Sequence, residues 1–83
     1  NATSLVTLYL ASNSNLWLVL DHVNNEIKTA SNIKNKNVAK AVANALQSIS
    51  YKLKTMEEIP SNGMVICAGE FDTPKNTLNS YRL

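Results

Sequence analysis

From Ser4 to Leu10 the chain reads SLVTLYL, β-branched and apolar with little polarity on either side, a pattern that predicts a strand buried on both faces. The turn formers ASNSN interrupt it. Apolar residues then recur at Leu16, Val19, Leu20, Val23 and Ile27, the spacing of one helical stripe, which predicts a helix from about Asn15 to Lys28 with Ser14 as its N-cap. Trp17 and Leu18 fall off that stripe, so this helix carries apolar surface that its own core cannot use. An upstream segment, a neighbouring domain or a second copy could each cover it.

A second helix is predicted from about Lys36 to Met56, with Val38, Val42, Ala45, Leu46, Ile49, Leu53 and Met56 on one face. Pro60 ends any helix before it, and PSNG is a turn signal. MVICAG, Met64 to Gly69, predicts another buried strand with Cys67 in the core, and TLNSYRL a weaker, alternating one that Pro74 helps to begin. The order β-α-α-β-β indicates an α+β domain, a small sheet packed with a long helical hairpin.

With 83 residues there is room for one modest core, and no apolar run approaches the roughly 18 residues of a membrane span. Asn1 is not Met and no leader precedes it, so residues 1–83 are expected to be a single-domain fragment of a larger protein. The single Cys67 rules out a disulfide framework or a cysteine zinc set, which fits a reducing, cytoplasmic setting. No Ser-His-Asp, Cys-His or paired-carboxylate set is visible, and two glycines cannot build a phosphate-cradling loop. Neither catalysis nor a cofactor or metal is expected. His22 has no ligand partner at metal spacing and reads as a surface histidine.

A net charge of +2 is too weak to announce a nucleic-acid binder, so such a claim needs local clustering. KTASNIKNK, at the junction of the two helices, supplies it. Lys34, Lys36 and Lys40 lie at or near the start of the second helix and Lys28 ends the first, with Glu26 the one nearby carboxylate. Lysines at a helix N-terminus add to its positive field, and an anionic partner offsets that cost, a polyphosphate backbone foremost. Plain solvation of an Asn- and Lys-rich loop is the alternative.

TASNIKNK closely resembles the TASNIKS stretch of the eukaryotic and archaeal class-one translation termination factors, which decode stop codons in the ribosomal A site. NATS resembles that family's NGTS, Glu26 stands at its acidic position ahead of TASNIKS, and IPSNGMVICAG resembles its PPNG segment with the following strand. These blocks recur in order and at matching separations from Asn1 to Gly69. The resemblance implies the N-terminal decoding domain, here incomplete, whose helical hairpin carries the codon-reading loop at its tip. Its implied partners are the mRNA stop codon, the ribosomal A site with the rRNA that lines it and, through the rest of the parent chain, a GTP-binding class-two release factor. Peptidyl-tRNA hydrolysis belongs to a separate domain with a GGQ motif, which this sequence lacks.

The residues implied at the codon are Thr3, Ser4, Glu26, Thr29, Ala30, Ser31, Asn32, Ile33, Lys34 and Asn35, with Lys28, Lys36 and Lys40 on RNA phosphates. Donors at Lys34 or Asn32 favour uracil, which shows a carbonyl where cytosine shows an amine. A carboxylate at Glu26 accepts from the exocyclic amine of adenine and repels the carbonyl of guanine, whereas the Thr3 hydroxyl suits either purine. Ile33 reads as an apolar anchor for the loop. Asn35 and Ala2 replace the family's Ser and Gly, Val38, Ala39 and Ala41 replace polar positions beyond the loop, and the YxCxxxF element would fall after Leu83. These departures leave the codon set open. The competing reading is an RNA-binding or protein-interaction module that acts on the ribosome without decoding.

Overall fold

A computed structural model describes residues 5–70 and 76–83, with Glu70 and Asn76 as backbone alone; Thr3 and Ser4 lie outside the described residues. The elements are β1 (Leu5–Leu10), α1 (Leu16–Ala30), α2 (Lys36–Thr55), β2 (Met64–Glu70) and β3 (Asn76–Arg82), in the expected β-α-α-β-β order of an α+β fold. The strands form one antiparallel sheet in the order β1-β2-β3, with β2 in the centre. Leu10 pairs with Met64, Leu8 with Ile66 and Val6 with Ala68, which sets an apolar row on the inner face. A one-residue slip would turn that row outward.

The helices do not share the sheet equally. α2 packs on all three strands and on α1, whereas no α1 Cα comes within 8 Å of a strand Cα. The core therefore lies where Ala45, Ile49 and Leu53 of α2 meet Leu10, Met64, Ile66 and Ala68, with Val23 and Ala30 closing it from α1. Ser50, the one buried polar residue among those described, donates its hydroxyl to Asn24 Oδ1 across the helix pair at 3.2 Å. The donor keeps a partner as α1 docks.

Three local expectations are corrected. Asn15, not Ser14, caps α1: its Oδ1 accepts from the Trp17 and Leu18 amides at 2.9 and 3.3 Å, while the Ser14 amide closes a turn onto Ala11 O at 3.1 Å. The strands are covered on one face only, since Leu5, Thr7 and Tyr9 of β1 and Tyr81 of β3 are exposed on the side away from α2. Cys67 stands on that outer face, half-buried, rather than in the core, and the Thr7 hydroxyl donates to its Sγ at 3.8 Å. Trp17 and Leu18 do leave the core as expected, with 78% and 69% of their surface exposed.

The PSNG turn depends on Gly63, whose φ of +89° is open to glycine and strained for other residues. A Cβ there would also lie 2.6 Å from Leu10 O. The Gly63 amide donates to Pro60 O at 2.8 Å and its carbonyl accepts from the Leu83 amide at 3.0 Å, so one residue closes the turn and ties it to the end of β3. Among the described residues no helix is long and apolar enough to cross a membrane.

Candidate nucleic-acid interface

The tip of the hairpin is short because α1 runs two residues further into the motif than expected, while α2 begins at Lys36 as expected. α1 continues through Thr29 and Ala30, and the chain then turns on bonds from the Asn32 amide to Thr29 O (3.0 Å) and from the Ile33 amide to Ala30 O (3.2 Å). The Ser31 hydroxyl donates to Lys28 O at 2.9 Å. Ala30 is buried, and Ile33 is half-buried against the core, so the loop is pinned from inside. Asn32 and Lys34 are left as exposed donors with no hydrogen bond or ion pair of their side chains among the described residues. Their backbone is fixed, while their side chains are free to meet a ligand.

Asn35 ends the loop as the N-cap of α2, its Oδ1 accepting from the Asn37 and Val38 amides at 3.0 and 3.1 Å. This gives a physical reason for tolerating Asn where the family resemblance has Ser, because the two rank together as N-caps. Asn35→Ser is therefore expected to leave stability within a few tenths of a kcal/mol, whereas Asn35→Ala costs about 0.5–2 kcal/mol. Urea unfolding of the three proteins checks both values, and equal stability of all three would remove the capping role.

Four ammonium groups surround this loop. Lys28 lies in the last turn of α1, where it complements the carbonyl end of the helix, but Lys36 opens α2 and Lys40 follows one turn later, where they add to the positive helix end. Neither helix has an acidic residue in its first turn. The one approach of a basic side chain to a carboxylate within 4 Å among the described residues, His22 Nε2 to Glu26 Oε1 at 3.8 Å, involves none of these lysines. Their field is open to solvent.

Glu26 stands about one turn before the tip on α1 and is exposed. The Thr29 hydroxyl donates to Glu26 O at 3.0 Å and lies 3.4 Å from its Oε2, so the carboxylate itself is only loosely engaged. Because α1 stands off the sheet, a groove opens between the helices and the β1 edge, lined by Glu26, His22, Thr7 and Val6 over a floor that includes Val42 and Ile49. Sequence reasoning singled out Glu26 but not its neighbours His22 and Thr7. The i,i+4 spacing of His22 and Glu26 was a usable signal; the approach of Thr7 has none, since it is made by strand placement. Among the described residues no group of three or more His, Cys, Asp or Glu side chains is placed to hold a metal ion.

Residues 1–82 match the family model described as eRF1 domain 1. The chain is 36% identical over 75 residues to the peptide chain release factor subunit 1-2 of Methanosarcina acetivorans, covering 90% of this chain and 18% of that protein. It is 35% identical over 71 residues to the eukaryotic peptide chain release factor subunit 1 of Loxodes striatus, covering 86% of this chain and 16% of that one. The crystal structure of an archaeal translation termination factor, aRF1, superposes with a TM-score of 0.84 at 28% identity, over 93% of this chain and 21% of that one. The chain thus spans less than a fifth of the length of these curated relatives.

Proposed function

The chain belongs to the eRF1 domain 1 family, and from that premise we propose that it is the stop-codon-reading portion, an incomplete N-terminal domain, of a peptide chain release factor acting in translation termination. The carrying observation is the hairpin tip, where Asn32 and Lys34 offer free donors on a loop whose backbone is already tied. A preformed loop loses little entropy when it meets a codon, which leaves more of each contact for discrimination.

In this reading Asn32 and Lys34 donate to the uracil that begins every stop codon, and Glu26 accepts from an adenine amine. Thr29 lies beside Glu26 at the codon; Ala30, Ser31, Ile33 and Asn35 keep the loop in shape; Thr3 and Ser4 bear on the purine positions. Lys28, Lys36 and Lys40 neutralise RNA phosphates, which brings the salt dependence of a polyelectrolyte contact. The ribosomal A site, with the rRNA that lines it, supplies that surface in the cytoplasm. The rest of the parent chain meets a GTP-binding class-two factor, and hydrolysis lies in another domain. This chain itself performs no catalysis.

The test replaces the equivalent segment of a working release factor with this one and measures peptide release on UAA, UAG and UGA, with ribosome binding as control. Release on at least one stop codon, and none on a sense codon, is the expected result. A chimaera that binds ribosomes yet is silent on all stop codons overturns decoding and favours a ribosome-bound regulator.

A further inference from the structure

α2 continues the cationic tip along its outer face with residues that tip reading does not use, Gln47, Tyr51 and Lys54. Its 20 residues include Lys36, Lys40, Lys52 and Lys54 and no Asp or Glu. Lys36, Lys40, Gln47, Tyr51 and Lys54 are all exposed, and their steps fall close to whole helical turns, so they share the face opposite Ala45, Ile49 and Leu53. At 1.5 Å per residue the row from Lys36 to Lys54 spans about 27 Å, from the tip to the far end of the hairpin. None of its lysines pairs with a carboxylate among the described residues.

Tyr51 interrupts this polar row with a large ring that is 73% exposed. Beside it, a shallow groove runs between α2 and β3, lined by Asn44, Gln47, Tyr51, Thr55 and Leu78. A helix seeking a partner helix would show an apolar stripe here, with several large side chains at turn spacing. This face has one aromatic ring among ammonium, amide and hydroxyl groups, the composition of a surface that follows a nucleic-acid backbone and stacks a base.

We propose that the outer face of α2 is an RNA-tracking strip in which Lys36, Lys40 and Lys54 meet successive stretches of phosphate backbone and Tyr51 stacks an unpaired base beside its groove. The proposal rests on the reading that the tip faces RNA, and it extends the contact from the tip to Lys54. The occupant is single-stranded or looped RNA, because a continuous duplex keeps its bases stacked inside and gives the Tyr51 ring no free face to meet.

Tyr51 and Lys54 lie outside the core and far from the codon-reading residues, so Tyr51→Ala and Lys54→Gln are expected to keep the thermal unfolding and codon ranking of the full parent chain. Binding of that chain to stop-programmed ribosomes is measured as a function of salt. Tyr51→Ala should weaken it about 5- to 150-fold, and Lys54→Gln should reduce the slope of log affinity against log salt by about 0.7 to 0.9. A photo-crosslinking residue placed at position 51 should label rRNA. Unchanged affinity and slope in both variants, or a crosslink to ribosomal protein alone, overturns the strip. Failure of codon reading is separately visible: tip variants would then leave the stop-codon preference unaltered, whatever Tyr51 and Lys54 do.

Discussion

Glu26→Gln in the parent factor is expected to raise release on UGG relative to UGA by about 5- to 150-fold, the range set by one base-edge contact of about 1–3 kcal/mol. A carboxylate has acceptors only, so it binds the amine of adenine and repels the carbonyl that guanine presents at the same edge. The amide keeps shape and size but adds two donors, which satisfy that carbonyl. Discrimination should fall mainly through the gain on UGG. The surroundings allow the exchange, since Glu26 is exposed and its backbone carbonyl, not its side chain, takes the shorter bond from Thr29. Release rates on the two codons under single-turnover conditions give the ratio, with ribosome binding as control. An unchanged ratio with normal binding would take Glu26 out of purine reading.

Ile66→Ala should cost about 2–5 kcal/mol, a large share of the 5–15 kcal/mol that holds a typical domain together. Ile66 is fully buried on the central strand, paired with Leu8 on one side and Ser80 on the other. Its neighbours are held by the sheet ladder and by α2, so they cannot collapse into the space a truncated side chain leaves. Ile66→Val should cost only about 0.5–1.5 kcal/mol, and Trp17→Ser, at a side chain 78% exposed, less than about 0.5 kcal/mol. Urea unfolding followed by far-UV circular dichroism orders the three. A loss below about 1 kcal/mol for Ile66→Ala would mean that the inner sheet face is not the centre of the core.

These two residues mark how differently a site and a core are legible in a sequence. Glu26 is found through its place ahead of TASNIKNK, a one-dimensional relation that survives without coordinates. Ile66 sits in MVICAG among Val65 and Cys67, where every position is apolar or small and alternation gives no clue to which residues face inward. A strand pattern of that kind predicts burial on both faces, yet α2 covers one face and leaves Leu5, Tyr9 and Tyr81 exposed on the other.

By itself the sequence determined the two helices, their apolar stripes, the PSNG turn and the cationic tip, because each follows from contacts within a few residues: turn spacing, caps, and a glycine able to take positive φ. Tertiary structure alone decided three other matters. It set the sidedness of the strands, the burial of Ala30 inside the motif, and the groove that brings Glu26 and His22 to the β1 edge. The first follows from α2 covering one face of the sheet and the other two from the docking of α1 on α2, contacts between residues remote in the chain that no local pattern carries.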